Sequence, residues 1–137
     1  MRVLLLGATG NTGLRCVTAL LTHKHTVTLY VRNLAKLHSL LPASLLAQVS
    51  SIVIGDATDA AGIKRALLEH EIEGIIDVAG NMVFPWRDYV LPQIATAVAR
   101  AAVEVGEERG APLRVWVTSG LLIMDISMEG ASGLISD

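Results

Sequence analysis

Three glycines spaced three apart, Gly7, Gly10 and Gly13, follow directly on an apolar Val-Leu-Leu-Leu run at 3–6 and lead straight into a helical pattern. The chemistry such a turn supports is the holding of a phosphate. A strand delivers the backbone to Gly7, which lets it turn sharply; Gly10, lacking a Cβ, admits an anion close to the main chain. Gly13 lets the helix pack hard against the strand. The helix N-terminus then offers N–H groups without intrahelical acceptors, and the positive end of its dipole, to a pyrophosphate. Thr9, Asn11 and Thr12 stand between the glycines in the same cradle. A second position bears on the same chemistry. Sites of this kind usually carry an acid at the end of the second strand to hold ribose hydroxyls. Here Leu29-Tyr30-Val31-Arg32-Asn33 has none, and Arg32 stands where a guanidinium can grip a 2′-phosphate. One such charge-assisted bond, about 1.5–3 kcal/mol, favours NADP(H) over NAD(H) roughly ten- to a hundredfold. The alternative for Arg32 is an ordinary surface arginine near a helix start. Lys36 and Arg15 are weaker candidates for the same phosphate, with a solvated helix face as their alternative.

Gly7-Ala8-Thr9-Gly10-Asn11-Thr12-Gly13 behind that strand resembles the atypical short-chain dehydrogenase/reductase group, and within it the NAD(P)-binding, NmrA-like proteins. The likeness covers nearly all 137 residues, as the first half to two-thirds of a typical member. It implies a parallel Rossmann sheet carrying NADP or NAD, with substrate elements mostly in the later part. In similar proteins the Gly55-Asp56-Ala57-Thr58-Asp59 turn lies under the adenine, with Asp56 near the exocyclic amine and the Ala57 N–H near the ring. A plain turn followed by a helix cap at Asp59 is the alternative. By the same resemblance Ser119, in Thr118-Ser119-Gly120, stands where these enzymes carry the serine that hydrogen-bonds a substrate carbonyl. The Tyr-x-x-x-Lys pair that normally works with it is missing: Gln93 stands four residues after Tyr89, and no lysine follows Lys64.

Val78-Ala79-Gly80-Asn81 ends the fourth strand, and the small Ala79 and Gly80 let a ribose–nicotinamide linkage lie against the backbone there. Asp77 reads as a structural, hydrogen-bonded acid rather than a catalytic one. Phe84 and Trp86, in the loop that follows, either line a pocket or cover the sheet edge. The implied activity is that of an NAD(P)H-dependent oxidoreductase acting on a small carbonyl, quinone or flavin-like substrate. The alternatives are a non-catalytic, NmrA-like dinucleotide sensor and an inactive shortened chain.

The elements that must position these residues alternate. Strands are expected over 3–6, 26–31, 51–54, 74–78 and 113–117, and helices over 11–22, 34–41, a stretch capped by Asp59, and 89–105. Leu14, Val17, Leu20 and Leu21 share one face of the first helix; Ile63, Ala66 and Leu67 form the inner face of the third. With right-handed crossovers this gives an α/β fold: a Rossmann-type, doubly wound parallel sheet of about five strands ordered 3-2-1-4-5. One NAD(P)-binding domain over 1–137 is expected, lacking the substrate part. Val115-Trp116-Val117 is very apolar for an edge strand, so either the chain is shortened or a partner covers that edge. A homodimer is possible there, or through the helix from Tyr89 to Val105, whose stripe is Ile94, Val98, Ala101 and Val105 with Ala97 and Ala102 beside it.

Composition narrows the classes. An apolar fraction of 52 % with only 18 % charged residues suits a parallel sheet buried on both faces. A formal charge of −2 gives no general pull toward nucleic acid or an acidic membrane. Cys16 is the only cysteine and is expected as a packed thiol on the first helix. The histidines at 23, 25, 38 and 70 fall on helix ends and turns as solvated residues, and no spacing suits a metal. With no hydrophobic leader before Arg2 and no long apolar run, the expected setting is cytoplasmic.

Overall fold

The computed structural model describes residues 1–79 and 91–117. Five parallel strands form one sheet: β1 (Arg2–Leu6), β2 (Thr26–Val31), β3 (Ser51–Ile54), β4 (Gly74–Asp77) and β5 (Arg114–Val117), ordered β3-β2-β1-β4-β5. The helices are α1 (Asn11–Thr22), α2 (Leu34–Leu40), α3 (Ala43–Leu46), α4 (Ala60–Glu69) and α5 (Leu91–Arg109). This is the expected doubly wound Rossmann-type order. From β1 the chain winds outward through β2 and β3, then returns to β4 on the other side of β1. The sheet therefore has its switch point between β1 and β4, where open α/β sheets leave a crevice at the carboxyl ends of the strands.

Side chains alternate along each strand, so every strand feeds two cores. Leu4, Leu6, Tyr30 and Ile75 face α4 and α5, packing with Ile63, Leu67, Val98 and Val105. Leu5, Val27, Leu29 and Val31 face α1 and α2, packing with Val17, Leu37 and Leu41. The near-continuous apolar strands thus reflect burial on both faces. The α5 stripe expected from its spacing, Ile94, Val98, Ala101 and Val105, is buried within the chain, as are Ala97 and Ala102.

Register carries the strand ends to one line. Leu6 pairs with Tyr30 on one side and Asp77 on the other, and Val31 pairs with Ile54. The turns leaving β1, β2, β3 and β4 consequently open side by side. Arg109 ties α4 to β4 by donating to the carbonyls of Leu67 and Ile72; the Leu67 carbonyl also accepts the Ile72 N–H at 3.0 Å. Lys64 pairs with Glu108 at 2.7 Å and Glu104 at 3.8 Å across the α4–α5 contact.

Several expectations shift. The helix expected over 34–41 ends one residue early, and Pro42 starts an unforeseen short helix, α3, at whose N-cap it needs no N–H. The last helix runs to Arg109 rather than Val105 and is left through Gly110 at φ 70°. Asp59 occupies the N-cap position of α4, but its side chain makes no cap bond. His25 is half-buried with Nδ1 lacking a partner, not solvated as its sequence position implies. β5 pairs with β4 alone among the described residues, leaving Trp116 48 % and Val117 44 % exposed.

Candidate functional site

The glycine turn behaves as its spacing requires. Gly7 has φ 92°, and a Cβ there would run into the Ala79 nitrogen and the Val78 carbonyl carbon. Only glycine lets β1 turn this close beneath the end of β4. A Cβ on Gly13 would strike the Gly7 carbonyl oxygen and come 2.7 Å from Ala8 Cα, so α1 sits directly against the turn. Gly10 donates to the Gly7 carbonyl at 3.1 Å and serves as the N-cap of α1, without a side chain to satisfy the first turn. That turn also contains no acid. Its N–H groups and dipole end are thereby left for an external anion.

In front of the turn lies a cavity of about 390 Å³ at the switch point. Gly7, Thr9 and Gly10 form one wall, Val78 and Ala79 a second, and Gly55, Asp56, Ala57 and Thr58 a third. Tyr30, Val31, Arg32 and Lys36 close the end beyond β2, and Ile94 comes in from α5. Arg32 and Lys36 are both exposed, so their cationic ends can reach a ligand at the rim. The backbone N–H of Lys36 is held by Asn33 Oδ1 at 3.1 Å, which fixes the start of α2 beside Arg32.

Two carboxylates are tied into turns. Asp56 Oδ1 accepts from Thr58 N at 2.8 Å and from Thr58 Oγ1 at 2.7 Å. Those two bonds hold the Asp56 carboxyl below the usual range, with a smaller pull from Arg32 across the cavity, so it faces a ligand as an anion. Asp77 is 2 % exposed, and its Oδ1 accepts from the Ala79 N–H at 3.0 Å. Burial pushes the Asp77 carboxyl up to about 6, against the pull of that bond. Its place is structural: it sets the Val78-Ala79 backbone on which Gly7 rests. The Tyr30 hydroxyl donates to the Asp56 carbonyl at 3.1 Å, and burial, then the charges of Asp59 and Asp56, raise its pKa and keep it a donor.

Of the residues singled out from sequence, Gly7, Thr9, Gly10, Arg32, Asp56, Ala57 and Ala79 meet at this one cavity, with Lys36. Thr12 and Gly13 stand in the first turn of α1 behind it rather than in its lining, and Asn11 opens that helix. Arg15 is exposed on α1 and does not line the cavity. Gly80, Phe84, Trp86, Tyr89 and Ser119 lie outside the described residues. Sequence reading missed Tyr30, Gly55, Thr58 and Ile94. For Thr58 a signal existed, because Asp-x-Thr is a turn in which the acid caps the amide two residues on. Tyr30 reads as core from its strand, and Ile94 arrives only through packing. Among the described residues no cluster of His, Cys, Asp or Glu is placed to hold a metal. No described helix is long and apolar enough to cross a membrane.

A Rossmann sheet with a glycine turn, an uncapped helix start and a crevice at the switch point defines a nicotinamide-dinucleotide-binding class. Residues 7–127 match the NAD(P)H-binding family, and the chain belongs to it. Comparison with the curated proteins finds no match. Among solved structures, the chain is similar to yeast methylglyoxal/isovaleraldehyde reductase Gre2 complexed with NADPH, at 19 % identity and a TM-score of 0.66, over 87 % of this chain and 37 % of that one. It is also similar to the Bordetella bronchiseptica enzyme WbmG in complex with NAD, at 23 % identity and a TM-score of 0.60, over 77 % and 34 %. Leucoanthocyanidin reductase from Vitis vinifera, in its binary complex with NADPH, matches at 24 % identity and a TM-score of 0.61, over 77 % and 33 %. At these identities the likeness is one of fold, and the chain spans about a third of the length of each.

Proposed function

We propose that this chain binds NADP(H) in preference to NAD(H) and provides the cofactor site of an NAD(P)H-dependent oxidoreductase of atypical short-chain dehydrogenase type. Its substrate would be a small carbonyl, quinone or flavin-like molecule. The observation that carries the reading is the end of the cavity beyond β2, where Arg32 and Lys36 stand and the segment leaving β2, Arg32-Asn33-Leu34-Ala35-Lys36, carries no acid. A 2′-phosphate there gains two cations, while the 2′-hydroxyl of NAD finds no carboxylate to bind. The first turn of α1 and the Gly7–Gly10 wall would take the pyrophosphate. Asp56 and Ala57 would meet the adenine, and Ala79, followed by Gly80, would back the ribose–nicotinamide linkage.

The bound dinucleotide would supply hydride; this chain's residues bind it, orient it and shield one face. Ser119 is the residue proposed to meet a substrate carbonyl. Following NADPH oxidation at 340 nm in the presence of carbonyl, quinone and flavin panels tests the activity. Turnover supports an oxidoreductase, and its absence from every panel removes that reading for the chain.

A second reading has its own observation. No lysine follows Lys64 in these 137 residues, so the Tyr-x-x-x-Lys acid–base pair is not available within them. A dinucleotide sensor needs the glycine turn and Arg32 but no such pair. Partner capture that changes with NADP(H) would favour the sensor; capture indifferent to the nucleotide would count against it.

A further inference from the structure

Tyr30 is the one buried polar aromatic side chain that lines the described cavity. Its ring lies on the α4–α5 side of the sheet with the residue 3 % exposed, and its hydroxyl reaches past the end of β2 to the Asp56 carbonyl at 3.1 Å. Two glycines from different elements make room for it. A Cβ on Gly55, in the turn after β3, would stand 2.6 Å from Tyr30 Cζ, and one on Gly62, in α4, would stand 2.8 Å from the hydroxyl. A slot shaped by both glycines around one phenol is matched to tyrosine: leucine would remove the hydroxyl and leave the Asp56 carbonyl with the Asp59 N–H, at 3.0 Å, as its donor.

The consequence falls on the turn, not on the core. Asp56 is held on its carbonyl side by the Asp59 N–H and, from across the sheet, by the Tyr30 hydroxyl, and on its carboxylate side by Thr58. With both ends fixed, the carboxylate and the Ala57 backbone have one orientation toward the cavity. We propose that Tyr30 is a positioning residue that fixes the turn between β3 and α4 as the base-reading wall of the dinucleotide site, and so sets the preference for adenine. This rests on the dinucleotide reading given above. A carboxylate in a fixed place accepts from the 6-amino group of adenine and repels the 6-carbonyl of hypoxanthine; a carboxylate free to swing does both poorly.

The test titrates wild type and Tyr30→Phe with NADPH and with its hypoxanthine analogue. Phenylalanine keeps the ring between Gly55 and Gly62, so the fold is retained. Wild type is expected to prefer NADPH about tenfold, and Tyr30→Phe to lose about fivefold in NADPH affinity with little change for the analogue. The base preference therefore shrinks. A loss shared equally by both ligands, or an unchanged preference, would overturn the inference, because a purely structural tyrosine affects both alike. Wild type that binds NADPH without base preference would also overturn it, while leaving the dinucleotide reading intact. Wild type that binds neither ligand removes that reading and this inference together. Amide exchange gives a readout independent of ligand. In Tyr30→Phe it should rise about fivefold at Gly55, Ala57 and Thr58 but not in β1; protection that stays the same in the turn contradicts the proposal.

Discussion

Arg32 and Asp77 carry the two sharpest single-residue expectations. Arg32→Ala should weaken NADPH binding about ten- to a hundredfold, the worth of one charge-assisted bond, and leave NADH binding nearly unchanged. Equal losses for the two nucleotides in calorimetric titration would place Arg32 elsewhere than on the 2′-phosphate. Asp77 bears on stability instead. Its carboxyl is raised from an ordinary 3.8 to about 6, so between those pH values the folded chain holds the proton more tightly than the unfolded chain. Stability therefore falls as pH rises through that window, by about 3 kcal/mol in all. Asp77→Asn keeps an acceptor for the Ala79 N–H and should flatten the dependence in urea unfolding from pH 4 to pH 7. An unaltered pH profile would show that Asp77 does not carry it. The convergence of Gly7, Gly10, Asp56 and Ala79 on one cavity was legible in sequence because each follows a strand and answers a local steric need. Tyr30 was not legible, since its reach to Asp56 spans 26 residues of chain and depends on parallel register. Arg15 is exposed on α1 and is not among the residues that line the cavity.

At the level of elements, the period of the apolar residues carried nearly everything. Val3, Leu4, Leu5 and Leu6 read as a strand buried on both faces, and all four are buried. The spacing of Ile94, Val98, Ala101 and Val105 marked the inner face of α5. What resisted was the ends. Pro42 reads as a stop, which it is for α2, but its fixed φ of −58° also suits the start of α3. The extension of α5 to Arg109 depends on partners outside the helix, the carbonyls of Leu67 and Ile72, which no local pattern announces. Arg109→Ala should therefore cost about 1–3 kcal/mol in chemical denaturation, since two buried-side acceptors lose a charged donor. Gly13→Ala tests the seat of α1. With a Cβ driven into the Gly7 carbonyl, it should cost about 1–3 kcal/mol and abolish tight dinucleotide binding. A Gly13→Ala chain as stable as wild type would mean that α1 does not need to sit so close.

For the molecule as a whole, the sheet order makes the site. Placing β4 beside β1 after two strands have been laid on the other side opens the switch point. The register then aligns four turns around a cavity of about 390 Å³. The order was readable from strand–helix alternation and the handedness of crossovers; the residues expected on the substrate side, Phe84, Trp86 and Ser119, lie outside the described residues. Because the proposed cofactor contacts come from turns after β1, β2, β3 and β4, binding should stabilise the fold as a unit. At 100 times its dissociation constant, NADPH should add about 2.7 kcal/mol, seen as a rise in the thermal midpoint. The most direct measurement is calorimetric titration of the purified chain with NADPH and, in parallel, with NADH. Micromolar NADPH binding with distinctly weaker NADH binding is the expected result. Heat from neither nucleotide, or tighter binding of NADH, would contradict an NADP(H) site built on the glycine turn and Arg32.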